Sequence, residues 1–458
     1  MPRHMPTTFN KLTVAIALAS TALIASQAAA SGFQVREQSA KTLANALSNA
    51  AAGAEDASFM AYNPAAIGNI DGNQVAGGVA YIEADFELQD ASASNALTSY
   101  GENQSGQGGE TAVVPSFAAK TQLNDRFDLG LAIYAPYGLS TKYDQEWIGR
   151  YHAVETELTT IDFQPTLNYR ASERLNLAVG LRAQYADATL SNSLDLASIG
   201  ASQASGAEAA FLATQAGQAD GFAEVTGDDW GYGYTLGALF QVTDRTRLGA
   251  SYRSEIDLTL EGDARFSSDN PVGQDVLADT QDADTFTNGG GAAELTTPAN
   301  LNLGVYHQLT DRLALMANAE WTEWSSFDEL TVEFEDSTPD STTTENWDDT
   351  WAFSVGANYA LTPQWLLRAG LGLDESPIPS AEYRTPRVPD NDRRWATLGA
   401  TWMPTPELGV TAGYMHVFAN DADIDQDGNK EENATKGSLN GTYEIEADVF
   451  ALSVDYRF

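Results

Sequence analysis

Among its 458 residues the chain has no cysteine, so no disulfide framework, thiolate nucleophile or cysteine metal site can form. Basic residues are scarce. Lys and Arg number 24 against 64 Asp and Glu, a formal charge of −40. With no basic patch to meet phosphates, the composition argues against nucleic acid as a partner. Only four histidines are present. His4 falls in the first thirty residues, and His152, His307 and His416 are far apart with no motif around any of them. A nucleophile–histidine pair has no basis here, so the sequence does not read as that of an enzyme. Past residue 30, nothing approaches the roughly 18 consecutive apolar residues of a membrane helix.

What is present is an export signal followed by a different way of crossing a membrane. Arg3 and Lys11 precede a mostly apolar run from Leu12 to Ile24, and Ala28-Ala29-Ala30 supplies small residues for cleavage. Residues 1–30 read as a signal peptide. At the other end, Phe450, Leu452, Val454, Tyr456 and Phe458 alternate with Ala451, Ser453, Asp455 and Arg457. Period-2 alternation gives a strand with one greasy and one wet face. An exported chain that closes such strands into a barrel leaves no unpaired backbone in lipid. The fold class is therefore an all-β transmembrane barrel in the outer membrane of a Gram-negative bacterium.

Residues 31–72 do not read as strands. Lys41 to Ala54 is a weak helical stretch, and Asn63-Pro64-Ala65-Ala66 carries an N-cap followed by proline at the first helical position. A plug, or hatch, inside the barrel fits better than a periplasmic tail. From residue 73 to 458, six tight turns punctuate alternating segments, centred on 124–126, 171–174, 243–245, 310–312, 362–364 and 405–407. Six short turns and seven long loops make fourteen strands, with both ends on the periplasmic side.

Two long loops carry apolar side chains. Residues 191–229 include a helical stretch with Phe211 and Leu212, and residues 262–293 include Phe266, Val272, Val276, Leu277 and Phe286. Packing of loop on loop would explain them, and so would a groove for a hydrophobic ligand. The third strand is interrupted at Ala135-Pro136-Tyr137-Gly138. Proline removes a ladder donor and glycine permits a bend, so Pro136 and Gly138 mark either a gap in the wall or the strand's end. A separate acidic segment has Asp423, Asp425 and Asp427 before Gly428, with Glu431 at the ninth position of a calcium-loop pattern. Ala434 stands at the twelfth position where the pattern wants Glu, and a solvated acidic loop competes with Ca2+ as the reading of 423–434. No other cofactor is expected.

Taken in order, several segments resemble the FadL family of outer-membrane transporters for long-chain fatty acids and other hydrophobic compounds. They are Gly32-Phe33-Gln34, Asn63-Pro64-Ala65, Tyr137-Gly138-Leu139, Tyr252-Arg253-Ser254-Glu255, Trp321-Thr322-Glu323-Trp324-Ser325, Asp374-Glu375-Ser376-Pro377-Ile378-Pro379 and Pro389-Asp390-Asn391-Asp392-Arg393-Arg394-Trp395. The resemblance implies a fourteen-stranded barrel closed by an N-terminal hatch, and passive import of a hydrophobic molecule. Loops would capture the ligand, an interior pocket touching Phe33 would hold it, and it would leave sideways at the kinked third strand beside Asn63-Pro64-Ala65. Asp374 keeps the family's pocket carboxylate. The sequence departs from the pattern where Asn192 stands for a pocket Arg and Ala135 for a pocket Ser. Arg150 and Arg182 are then the candidate cations for a fatty acid carboxylate, and a neutral hydrocarbon or ester is the alternative ligand. The expected partners are that ligand and the lipopolysaccharide-bearing outer membrane, with the chain acting as a monomer. A structural or adhesive barrel is the competing reading, and it needs neither kink nor hatch.

Overall fold

The computed structural model describes residues 32–458, so the expected signal peptide lies outside the described residues. Alternation of apolar and polar residues builds a wall of fourteen antiparallel strands. In chain order they are β1 (Gln74–Ser94), β2 (Thr111–Gln122), β3 in two pieces (Phe127–Tyr134 and Gly138–Lys142), β4 (Glu155–Ser172), β5 (Leu175–Asp195) and β6 (Asp220–Thr243). Then come β7 (Thr246–Arg253 and Ile256–Ser267), β8 (Gly289–Thr297 and Asn300–Gln308), β9 (Leu313–Thr322) and β10 (Thr350–Thr362). The last four are β11 (Trp365–Asp374), β12 (Arg393–Thr405), β13 (Leu408–Ala419) and β14 (Ser438–Arg457). β14 pairs along its length with β1, from Gln74↔Arg457 to Ser94↔Ser438, which joins the last strand to the first and closes the cylinder.

All six expected turns join neighbouring strands at one end of the cylinder. The faces fall as the alternation requires. Phe450, Leu452, Val454 and Tyr456 are 44–51 % exposed, whereas Val449, Ala451 and Ser453 between them are buried. On β5, Leu177, Val179 and Leu181 face outward and Asn176, Arg182 and Gln184 inward. The exposed apolar residues of such a wall are its lipid-facing band.

Residues 32–73 fill the bore. The helical expectation for 41–54 holds only over Ala40–Leu43, capped by the Ser39 side chain on Lys41 N. Ala46 and Leu47 then take positive φ (55° and 66°), which no helix accommodates. The cause is the wall. Gly356 of β10 and Gly370 of β11 lie opposite each other, and a Cβ on Gly370 would sit 2.6 Å from Asn45 O and 2.7 Å from Ala46 Cβ. The hatch backbone thus lies directly on a bare patch of barrel backbone, and its path follows that surface instead of helical propensity. Two short 3₁₀ helices, Ala57–Ala61 and Pro64–Asn69, complete the hatch, capped by Asp56 and Asn63.

Ion pairs fix it in place. Arg36 reaches Asp374 of β11 (3.1 Å) and Glu320 of β9 (3.2 Å), and Lys41 lies between Asp56 (2.7 Å) and Asp455 (2.8 Å). Arg368 of β11 pairs with Glu55. Breaking one partner of such a buried pair strands a charge, at a cost of roughly 3–5 kcal/mol.

Valine favours a strand but cannot fit under Asn45, so Gly370→Val is expected to expel the hatch and leave the barrel intact. Planar-bilayer conductance should rise several-fold over wild type while heat-modifiable migration on gels is unchanged. Unchanged conductance would mean that this patch does not seat the plug.

Candidate functional site in the outer half of the barrel

The wall is interrupted at the third strand. The β2–β3 ladder runs from Gln122↔Asp128 to Phe117↔Ile133 and stops there. The outer piece of β3 pairs with β4 alone, so Thr111–Ser116 of β2, paired to β1 on one side, has no ladder on the other among the described residues. Pro136 and Gly138 therefore stand where the ladder is interrupted. The freed backbone groups are taken up by the start of the hatch. Val35 N donates to Pro136 O (2.9 Å), Gly138 N donates to Phe33 O (2.8 Å), and Gln34 forms an antiparallel bridge with Tyr137. The Gln38 amide donates to Ala135 O (3.2 Å). Tyr137 is steadied from the barrel side: its N–H donates to Thr160 Oγ1 (3.0 Å) and its hydroxyl to Pro298 O (2.7 Å).

Asn63-Pro64-Ala65 behaves locally as expected, with Asn63 Oδ1 accepting from Ala65 N (3.0 Å). Its position needs correcting. Asn63 Nδ2 donates to Ala238 O of β6 (3.2 Å), and Ala65 packs with Ala178 of β5 and Leu239 of β6. The motif presses on the wall at β5–β6, and the segment at the gap is Phe33–Val35.

Phe33 is buried in a box of aromatic rings. Its centroid lies 4.7 Å from Trp324, 5.4 Å from Phe327, 5.8 Å from Trp347 and 5.9 Å from Tyr137. Gly32 fits beneath the two indoles only because it lacks a Cβ: one would meet Trp324 and Trp347 at 2.7 Å, and φ is +61°. On its other side Phe33 floors a small cavity of about 70 Å3, walled by Leu139, Leu158, Leu190, Leu260, Leu295 and Leu330, with Thr156, Glu157, Thr226, Glu345 and Arg387 as polar members. That volume is well below an ordinary small-molecule site, so a ligand of any length must displace Phe33 or its neighbours to enter. Above it, between the long loops, is an open cleft of about 810 Å3 that includes Ile199, Phe266, Phe286, Phe334, Asn192 and Lys436. Leu190, Val225, Leu330 and Arg387 line both spaces, so the two adjoin.

The remaining expected ligand contacts separate. Asp374 is inward and buried, but its cation is Arg36 of the hatch, which sequence reasoning missed. Arg150 is held by Asp220 (2.8 Å), Gly217 O and the face of Tyr151, and serves as loop scaffold. Arg182 is fully buried and pairs with Asp162 (2.6 Å) and Ser254 O (2.9 Å). Neither lines the cavity or the cleft. Phe211 is 54 % exposed and points away, while Leu212 is buried with Leu196, Ile199 and Val276 in a core between loop helices. The helix that carries Val276, Pro271–Asp282, opens with Asn270 as cap and Pro271 in its first turn. The calcium expectation is not supported by the arrangement. Asp423 and Asp425 lie on a short strand, Ala422–Gln426, paired to β14, where a straight ladder prevents the segment from curling around an ion. Asp427 caps Asn429 N, Glu431 opens a 3₁₀ turn, and among the described residues no group of three or more ligating side chains could hold a metal.

Electrostatics at the cavity mouth are unusual for so acidic a chain. Glu345 is buried, accepts from Trp347 Nε1 (3.0 Å), and is pushed up to about 8, chiefly by burial. Arg387 and Glu432 face it from other loops, as does Lys436. Burial pulls Arg387 down to about 10 and Lys436 to about 8, and the two cations also repel.

Comparison with known proteins follows from this geometry. Residues 21–458 match the family described as outer membrane protein transport protein (OMPP1/FadL/TodX). The chain belongs to this family. An outer membrane protein of Neisseria meningitidis serogroup B is 30 % identical over 467 residues, covering 97 % of this chain and 98 % of that one. The long-chain fatty acid transport protein of Escherichia coli O6:H1 is 29 % identical over 426 residues, covering 90 % and 92 %. Among solved structures, a Pseudomonas aeruginosa FadL homologue superposes with a TM-score of 0.82 at 28 % identity, covering 93 % of this chain and all of that one. As a FadL-family barrel, the protein resides in the outer membrane.

The raised Glu345 carboxyl has a pH consequence. Its proton is retained on folding, so its contribution is fully present below the unfolded value near 4.5 and is lost as pH rises through about 8. After division by the intrinsic exchange rate, hydrogen exchange of 341–349 should report a local stability that falls between about pH 4.5 and 8 and is level above, and Glu345→Gln should flatten that dependence. An equally steep profile in the variant would assign the effect to another group.

Proposed function

We propose that the chain imports long-chain fatty acids or similar hydrophobic molecules across the outer membrane. The outer cleft captures the molecule, the cavity above Phe33 holds it, and it leaves sideways through the interrupted wall at Pro136–Gly138 into the bilayer. One observation carries this reading. The segment Phe33–Val35 both floors the apolar cavity and supplies the hydrogen bonds that fill the gap. A ligand that displaces Phe33 therefore loosens the closure beside it, coupling binding to exit.

The physics suits such a route. Lipopolysaccharide presents a polar, cation-bridged surface that an acyl chain crosses poorly. Each methylene buried in the cavity contributes ~0.8 kcal/mol, and sideways release avoids returning the chain to water. Flux is passive and follows the gradient, and the chain works as a monomer because one barrel contains the whole path. A neutral hydrocarbon could use the same path, since the cavity wall is mostly apolar. An adhesive barrel would need neither the cavity nor the gap.

The absence of cysteine makes a clean test available. Gln34 and Tyr137 form the bridge position flanked by the Val35–Pro136 and Gly138–Phe33 bonds, where Cα atoms lie about 4.5 Å apart, within disulfide reach. With Gln34→Cys and Tyr137→Cys together, uptake of oleate by cells should stop on oxidation and return on reduction. Uptake that continues with the crosslink formed would defeat sideways exit past this segment.

A further inference from the structure

We infer that the wall has a second lateral passage, between β6 and β7, through which neutral apolar molecules dissolved in the outer leaflet reach the cavity. This goes beyond the import reading above, which brings the molecule in through the loops, and shares with it only the cavity.

The inference begins with a missing ladder. β6 and β7 pair from Thr243↔Thr246 to Thr235↔Arg253, and again from Asp228↔Glu261 to Phe222↔Ser267. In between, residues 229–234 of β6 pass residues 254–260 of β7 with no ladder pair. The same stretch of β6 is paired without a break to β5 on its other side. β7 carries the extra residue in this interval, so a regular ladder cannot join the two registers. Side chains finish both ends instead. Ser254 N donates to Tyr234 O (2.9 Å), and Tyr234 N donates to the Ser254 hydroxyl (3.0 Å). At the outer end Thr259 N donates to the Asp229 carboxylate (2.8 Å). A wall that must satisfy its backbone in lipid has here replaced ladder bonds with side-chain caps.

What fills the seam is apolar and joins the cavity. Gly231 and Gly233 of β6 have no side chain to close it, and β7 lays Ile256 over both. A Cβ on Gly231 would collide with Ile256 Cγ2 and lie 3.0 Å from Leu258 Cδ2, and one on Gly233 would lie 2.8 Å from Ile256 Cγ1. Ile256 and Leu258 are buried in the apolar cluster around Phe33. The next inward residue, Leu260, lines the cavity with Val225, Thr226 and Gly227 of β6. The cavity thus ends against the seam, and rotatable side chains separate it from the bilayer where ladder bonds stand around most of the wall. On the lipid side are Trp230, Tyr232 and Tyr234, the middle one 75 % exposed. Charge then decides what passes. Asp187, Asp228 and Glu261 are cross-strand neighbours, exposed in a row at the outer end of the seam. They repel the head group of an anionic amphiphile lying in the outer leaflet. A neutral hydrocarbon or ester carries no charge to meet them and lies deeper, against the aromatic rings.

The test uses the full mature barrel in liposomes and two single-cysteine variants, each checked for heat-modifiable migration on gels. Leu258→Cys puts a thiol at the seam. Leu158→Cys puts one in the cavity on β4, where Leu139 and Ala188 are ladder partners on either side. N-dodecylmaleimide dissolved in the bilayer should label Leu258→Cys several-fold faster than Leu158→Cys. It should also label Leu258→Cys about tenfold faster than maleimidoundecanoic acid does, because that reagent brings a carboxylate to the acidic row. Equal rates at the two positions would mean that the reagent arrives through the cleft, which overturns the passage and leaves import from the loops standing. Absence of labelling at both, with both thiols reactive in the unfolded chain, would overturn it as well. Equal rates for the two reagents at Leu258→Cys would overturn the choice of neutral molecules. The import reading fails separately, on uptake that survives the Gln34–Tyr137 crosslink.

Discussion

A barrel wall in lipid tolerates no orphaned backbone, and here the wall is broken. Three residues, Ala135 to Tyr137, leave the ladder between the two pieces of β3, and water cannot satisfy them at that depth. The first residues of the hatch do so instead, through Val35 N to Pro136 O and Gly138 N to Phe33 O. That short, two-bond strand addition sets the rest. It fixes where Phe33 sits, hence the aromatic box of Trp324, Phe327 and Trp347, hence the floor of the cavity. A closure made of so few bonds is also easily undone, because it lacks the long register that holds every other strand pair.

The hatch behind that segment is seated by two unlike means. Bare glycine on β10 and β11 lets backbone lie on backbone, and ion pairs from Arg36, Lys41 and Glu55 set its register. Buried ion pairs are poor sources of net stability but strong sources of specificity, since any shift strands a charge. Not every interior cation is spent on a carboxylate: Arg247 and Arg253 of the wall donate to the hatch carbonyls of Ala52 and Ala61.

Several site residues were read correctly for type and wrongly for task. Arg150 and Arg182 are buried and charged as a head-group site would need, but Asp220 and Asp162 already occupy them. Asp374 faces inward as strand parity required, yet the cation it serves is 338 residues away in sequence. Arg36 adjoins the Gly32-Phe33-Gln34 motif, and that proximity was the available signal. The acidic run at 423–427 had the spacing of an ion loop, but pairing with β14 took precedence over local composition.

What the sequence by itself determined was the wall. Period-2 alternation, six turns and a closing aromatic strand are local properties, and each strand's two faces are set by its own residues and the solvent they meet. The interruption at Pro136 and Gly138 was legible for the same reason, since proline's missing N–H acts wherever it stands, but the residues alone left a gap and a plain strand end both open. Only the tertiary structure decided how the bore is filled, which cations are spent, and where an apolar space remains. Those outcomes join residues hundreds of positions apart, and charge pairing and close backbone approach depend on distances in space that no spacing along the chain encodes.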